Sequence, residues 1–155
     1  MSGNSPYVKI PLLPQARVAI VTASWHGDIC RALVEGAKRA LAKAEVAEVK
    51  VIEVPGSFEI PLASQMVLKS GFDAVVAVGL VLRGKTPHFD YVCQGVTQGV
   101  MEVQLALSKP IGNGVLMCDT IEQARDRCGL KTSNEDKGYD AAVAVLELLA
   151  LNEKL

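Results

Sequence analysis

Apolar positions along the chain alternate between short β-branched runs and longer stretches of helical spacing, the pattern of βαβ units around a parallel sheet. Arg17 to Ala23 (RVAIVTA) reads as the first strand. After the turn SWHG, Asp28 is expected to cap a helix reaching Ala44, with Ile29, Leu33, Ala37, Ala40, Leu41 and Ala44 on one face. Val46 to Val54 reads as the second strand, and VPGSF leads into a helix from Phe58 to Ser70. The uninterrupted apolar run Ala74 to Leu82 is what a central parallel strand covered on both faces requires. In the turn RGKTPHFDY, Thr86 is expected at the N-cap and Pro87 at the first helical position, which puts His88 in the first turn of a helix ending at Leu107. Ile111 to Met117 is the fourth strand. Thr120 and Gln123 form a T-x-x-Q capping box opening a short helix to Arg127, and after the polar break GLKTSNED a last helix runs from Lys137 to Leu151.

Right-handed crossovers turn this order into an α/β fold, a three-layer α/β/α sandwich on a four-stranded parallel sheet. With 155 residues the chain has room for one domain, taken as 17–155, preceded by a Pro-rich N-terminal arm, 1–16. The arm reads either as disordered alone or as pairing with another subunit.

Composition narrows the chemistry. Half the residues are hydrophobic and 21% are charged, enough to bury a sizeable core without metal or disulfides. Sixteen basic against 17 acidic side chains give a net charge of −1, so no field favours nucleic acid or an anionic membrane. The longest apolar run is too short to span a bilayer, and the first fifteen residues lack a basic-then-apolar signal pattern, which points to the cytoplasm. Cys30, Cys93, Cys118 and Cys128 form no C-x-x-C pair and read as free thiols; with only His26 and His88 beside them, no metal site is expected.

In open parallel sheets ligands bind where the βα turns converge at the carboxyl ends of the strands, and the unusual residues of this chain fall in those turns. Trp25, the sole tryptophan, reads either as a flat stacking surface or as a loop anchor, and neighbouring His26 as a solvated turn residue. Arg83-Gly84-Lys85-Thr86 at a helix entry offers backbone N–H groups and two cations to an anion, against the plainer reading of capping and solvated charge; the spacing is not that of a Walker loop. His88 is either an imidazole base beside that site or a structural hydrogen-bonder. Glu59 can accept hydrogen bonds from a polar ligand or complement a helix dipole, and Arg127 and Lys137 read first as surface charge. No nucleophile triad and no G-x-G-x-x-G appear. These residues suggest an enzyme acting on a phosphorylated or heterocyclic small molecule.

Five segments in register carry a resemblance: VPGSFEIP, VGLVLRGKTPHFDYV, P-x-x-N-G-V-L around Asn113, T-x-E-Q-A-x-x-R-x-G ending at Gly129, and D-K-G-x-x-A-A from Asp136. In order and spacing they resemble the 6,7-dimethyl-8-ribityllumazine synthase family. The resemblance implies a flavodoxin-like fold and a reaction without cofactor: condensation of 5-amino-6-(D-ribitylamino)uracil with 3,4-dihydroxy-2-butanone 4-phosphate, the penultimate step of riboflavin biosynthesis. It implies Trp25 under the pyrimidine ring, Ser57, Phe58 and Glu59 around the uracil edge and ribityl chain, and Leu80, Val81 and Leu82 along the other side. Lys85 and Thr86 would hold the phosphate with Arg127, His88 would shuttle protons, and Lys137 would lie near the ribityl or phosphate end. Asn113, Arg127 and Lys137 would come from an adjacent subunit. Asn113 stands where many members carry an aromatic, and Trp25 where Phe is frequent. The ten steps from Arg127 to Lys137 are more than members forming closed shells have, and longer linkers go with free pentamers, so a homopentamer is expected. Two competing readings remain, a carrier of flavin- or pteridine-like rings and a structural shell protein.

Overall fold

The computed structural model describes residues 6–155. Four strands form one wholly parallel sheet: β1 (Arg17–Ala23), β2 (Glu48–Val54), β3 (Ala74–Leu82) and β4 (Ile111–Cys118), in the order β2-β1-β3-β4. The helices are α1 (Gly27–Lys43), α2 (Ile60–Lys69), α3 (His88–Leu107), α4 (Ile121–Arg125) and α5 (Lys137–Lys154), with a 3-10 turn at Ser57–Glu59 before α2. The expected three layers are present. Alternation along the strands divides the core in two: Val18, Ile20, Val76 and Val78 face α1 and α5, while Ala19, Val21, Val75 and Ala77 face α2 and α3. Because β3 is covered on both faces, its run of nine apolar or glycine positions is buried up to Leu82.

Close packing of α5 on α1 depends on a residue without a side chain. A Cβ at Gly138 would collide with the Leu33 carbonyl, so the D-K-G segment brings one helix backbone down onto the other. Asp136 anchors the same corner: its carboxylate accepts the Tyr139 N–H at 3.0 Å, capping α5, and pairs with Arg39 of α1 at 2.5 Å.

Several expected boundaries shift. Asp28 does not cap α1; His26 occupies the N-cap in left-handed backbone (φ 56°), its carbonyl accepting the Cys30 N–H, and Asp28 lies inside the first turn as a partner for the helix dipole. Thr86 and Pro87 each sit one position earlier relative to the helix than expected. Pro87 is the N-cap of α3, its carbonyl taking the Asp90 N–H at 3.0 Å, while Thr86 Oγ1 accepts from His88 N at 3.4 Å. The start of α2 tightens to a 3-10 turn, and β2 begins at Glu48 because Ala47 instead donates to the Ala16 carbonyl. Helix α4 stops at Arg125, since Asp126 turns its carboxylate to Asn134 and Gly129 takes φ +79°. The Thr120–Gln123 capping box forms as expected, with Gln123 N on Thr120 Oγ1 at 3.3 Å and Thr120 N on Gln123 Oε1 at 3.4 Å.

Of the expected arm, residues 1–5 lie outside the described residues. Leu13 is only 2% exposed and donates its N–H to the Ala44 carbonyl, with Ile10 and Ala16 against the same core. Tyr7 and Leu12 remain exposed. No helix among the described residues is long and apolar enough to cross a membrane.

Candidate active site

All four βα turns open at the carboxyl edge of the sheet, and the strand order reverses between β1 and β3, the position at which sheets of this kind take their ligands. Trp25 and the β2–α2 turn meet there. A Cβ placed on Gly56 would lie 3.2 Å from Glu59 Oε2 and 3.5 Å from Trp25 Cδ1, so the indole edge and the carboxylate flank the same backbone. Trp25 itself is 68% exposed, which rules out a buried anchor within this chain and leaves a ring available for stacking. Its carbonyl is held from below by the Cys30 thiol at 3.1 Å. Burial pushes that thiol up to about 11.

Ser57 packs against β3: the residue is 6% exposed, and its Oγ has no hydrogen-bond partner among the described residues and stands 2.7 Å from where a Cβ of Gly79 would be, so the glycine makes room for it. Phe58 turns outward and packs its ring edge on Gly95 of α3. Leu80 and Val81 are buried and Leu82 partly so. Leu80, with Leu82 against it, belongs to the α1–α5 side of the core and Val81 to the α2–α3 side, so these side chains are committed to the core and what they leave at the carboxyl edge is chiefly backbone.

The β3–α3 turn is exposed from Arg83 to His88. Lys85, Thr86 and His88 are therefore open at the N-terminal end of the twenty-residue helix α3, where free N–H groups and the positive end of the helix dipole lie. Arg83 is tied differently: Nε donates to Asp119 at 2.5 Å, Nη1 to Asp90 at 3.4 Å, and its guanidinium carbon lies 4.2 Å over the Phe89 ring. The bond to Asp119 raises the guanidinium pKa further.

Arg127 and Lys137 are gathered by another acid. Glu135 lies 3.6 Å from Arg127 Nε and 3.5 Å from Lys137 Nζ; Lys137 also meets Asp140 at 3.3 Å, and Arg127 Nη1 donates to the Gln123 carbonyl at 2.9 Å. The i to i+10 linker thus folds back so that its two end cations share one carboxylate. Asn113 sits exposed on the edge strand β4, its Oδ1 accepting from Val115 N at 3.2 Å. Sequence reasoning missed Glu135, and it offered Arg83 to an anion, whereas the structure ties that guanidinium to Asp119 and Asp90. An acid two residues from Lys137 was a usable signal for the first, whereas the pairing of residue 83 with 119 exists only in three dimensions.

The wholly parallel four-stranded sheet with helices packed on both faces places the chain in the flavodoxin-like class of α/β folds. A sequence profile described as 6,7-dimethyl-8-ribityllumazine synthase matches residues 15–153. Similar proteins with that name come from Streptomyces coelicolor, 46% identical over 151 residues (97% of this chain, 94% of the relative), and Paenarthrobacter aurescens, 53% identical over 152 residues (94% of each). One from Kocuria rhizophila is 55% identical over 130 residues, covering 84% of this chain and 83% of its own. The chain belongs to the 6,7-dimethyl-8-ribityllumazine synthase family. It is a transferase of riboflavin biosynthesis, joining ribitylaminouracil to the butanone phosphate.

Proposed function

We propose that this chain divides the lumazine-forming condensation between two groups of residues supplied by neighbouring subunits of a homopentamer. Trp25 stacks under the pyrimidine, with Ser57, Phe58 and Glu59 along its edge and the ribityl chain, and the backbone from Leu80 to Leu82 opposite. Ser57 Oγ, buried and unpartnered, gains its hydrogen bond from the polar ligand. Lys85 and Thr86 hold the phosphate at the helix entry. From the adjacent subunit come Asn113 at the ring, Arg127 at the phosphate and Lys137 near the ribityl or phosphate end.

Chemistry then needs little beyond placement and proton transfer. The 5-amino nitrogen attacks the ketone and loses water to give an imine; phosphate leaves by elimination as its charge is held by Lys85, Thr86 and Arg127; the ribityl-bearing amine closes the ring with loss of a second water. His88 moves the protons at the reacting nitrogen and carbon.

What supports this reading is that Trp25 and Glu59 flank Gly56 and the RGKTPH turn leaves the same carboxyl edge of the sheet, in a chain matched along nearly its whole length by the family. Exposed apolar side chains support assembly: Leu62 and Met66 on α2, Tyr91, Met101 and Leu105 on α3, and Val49 and Val51 on the edge strand β2. The arm adds to a neighbour's sheet edge in this scheme, and reduced free cysteines agree with a cytoplasmic setting. Co-expression of the His88→Ala and Arg127→Ala chains tests the shared site. With the butanone phosphate held far below its KM for the Arg127→Ala chain, so that each variant alone is nearly inactive, random assortment puts both intact groups in about a quarter of the sites and restores about a quarter of the activity. Mixed oligomers no more active than either variant alone would refute it.

A further inference from the structure

The turn that carries Lys85, Thr86 and His88 has little packing of its own. It is exposed from Arg83 to His88, and a Cβ at Gly84 would meet nothing within 4 Å among the described residues. What grips it is the side chain at its first residue. Arg83 reaches forward to the first turn of α3, through Asp90 at 3.4 Å and the face of Phe89 at 4.2 Å, and sideways to Asp119 after β4 at 2.5 Å. Asp119 is fixed in its turn, because its N–H donates to Gln123 Oε1 at 2.8 Å within the capped entry of α4. Arg83 N also donates to the Cys118 carbonyl at 2.9 Å, continuing the β3–β4 ladder one residue into the turn. Both ends of the turn are thereby tied to one guanidinium and to the neighbouring loop.

We propose that Arg83 is a positioning residue: it holds the β3–α3 turn so that Lys85, Thr86 and His88 stand where the reaction needs them, without itself touching substrate. This rests on the assignment of those three residues to the phosphate and to proton transfer. Exposed ion pairs contribute little to global stability. Misplacement of reacting groups by about 1 Å, in contrast, can cost on the order of 100-fold in rate. A positioning role therefore predicts a change in turnover that outruns any change in stability, and a planar fork that Lys cannot copy.

The test uses the full chain with Arg83→Ala, Arg83→Lys and Asp119→Asn, each followed by thermal unfolding, amide hydrogen exchange over residues 84–90 and initial rates with each substrate varied. The expected result is faster exchange in that segment for Arg83→Ala and Asp119→Asn at nearly unchanged Tm. Turnover should fall at least about tenfold and KM for the butanone phosphate should rise, with KM for the ribitylaminouracil held. Arg83→Lys should recover only part of the loss. Exchange and rates within about twofold of the unsubstituted protein in both Arg83→Ala and Asp119→Asn would overturn the proposal. Absence of turnover in the unsubstituted protein would overturn the role assignment instead, and the exchange comparison would still decide whether Arg83 holds the turn.

Discussion

Replacing Trp25 by Ala removes the stacking surface and almost nothing else. The indole is 68% exposed in the chain, so its loss opens no cavity, and the Cys30 thiol donates to the Trp25 carbonyl, which the variant keeps. Stability should therefore stay within about 0.5 kcal/mol, the range of ordinary surface substitutions. Stacking of a flat heterocycle on an aromatic side chain contributes about 1–3 kcal/mol. At about 1.4 kcal/mol per factor of ten, KM for the ribitylaminouracil should rise about 5- to 150-fold. Because the stack is present before and during the reaction, kcat should change far less than KM. Trp25→Phe keeps an aromatic face and should recover most of the loss. Initial rates of lumazine formation, with the uracil varied at saturating butanone phosphate, read the effect. Trp25 is the only tryptophan in the chain, so quenching of its fluorescence by the uracil gives an independent Kd. An unchanged KM in Trp25→Ala, with the protein folded, would refute the stacking role.

Other expectations follow from the same geometry. His88→Ala should lower kcat about 10- to 1000-fold if the imidazole moves protons, and an unchanged kcat would exclude that role. Arg127→Ala should raise KM for the butanone phosphate while leaving that for the uracil; equal KM values in variant and parent would count against a phosphate contact. Gly138→Ala must push α5 off the Leu33 carbonyl and should destabilise by about 1–3 kcal/mol, seen as a lower denaturation midpoint, whereas an unchanged midpoint would show that the helices can shift freely. Burial raises the Cys30 thiol from 9.0 to about 11, so between those values the unfolded chain has lost a proton that the folded chain keeps. Stability from this group is complete below pH 9 and falls as pH rises toward 11; Cys30→Ala should flatten that fall, whatever its effect on the level, and an equal slope in both proteins would contradict the assignment.

Legibility in the sequence followed how local each signal was. Strand β3 is readable to the residue because a parallel strand buried on both faces is an unbroken apolar run with sharp polar ends, while β1, which holds Arg17 and Thr22, shows through its central apolar run Val18 to Val21. The Thr120–Gln123 box was readable because both partners lie within one turn. The starts of α1 and α3 were displaced, since Asp28 and Thr86 are good capping residues whose neighbours took the N-cap position, His26 by adopting left-handed backbone and Pro87 by its preset φ of −62°. Residues in the βα turns can be collected at one end of the sheet by topology alone, which groups Trp25, Glu59 and His88 without any knowledge of their contacts. Contacts joining distant segments had no such trace: the Arg83–Asp119 pair spans 36 positions, and the Asp136–Arg39 pair spans 97.

The condensation is measured by mixing the purified protein with 5-amino-6-(D-ribitylamino)uracil and 3,4-dihydroxy-2-butanone 4-phosphate and following lumazine fluorescence against a protein-free control. Lumazine should form well above the control, with release of inorganic phosphate in equal amount. A folded oligomer that binds the uracil and leaves the rate at that of the control would contradict that expectation.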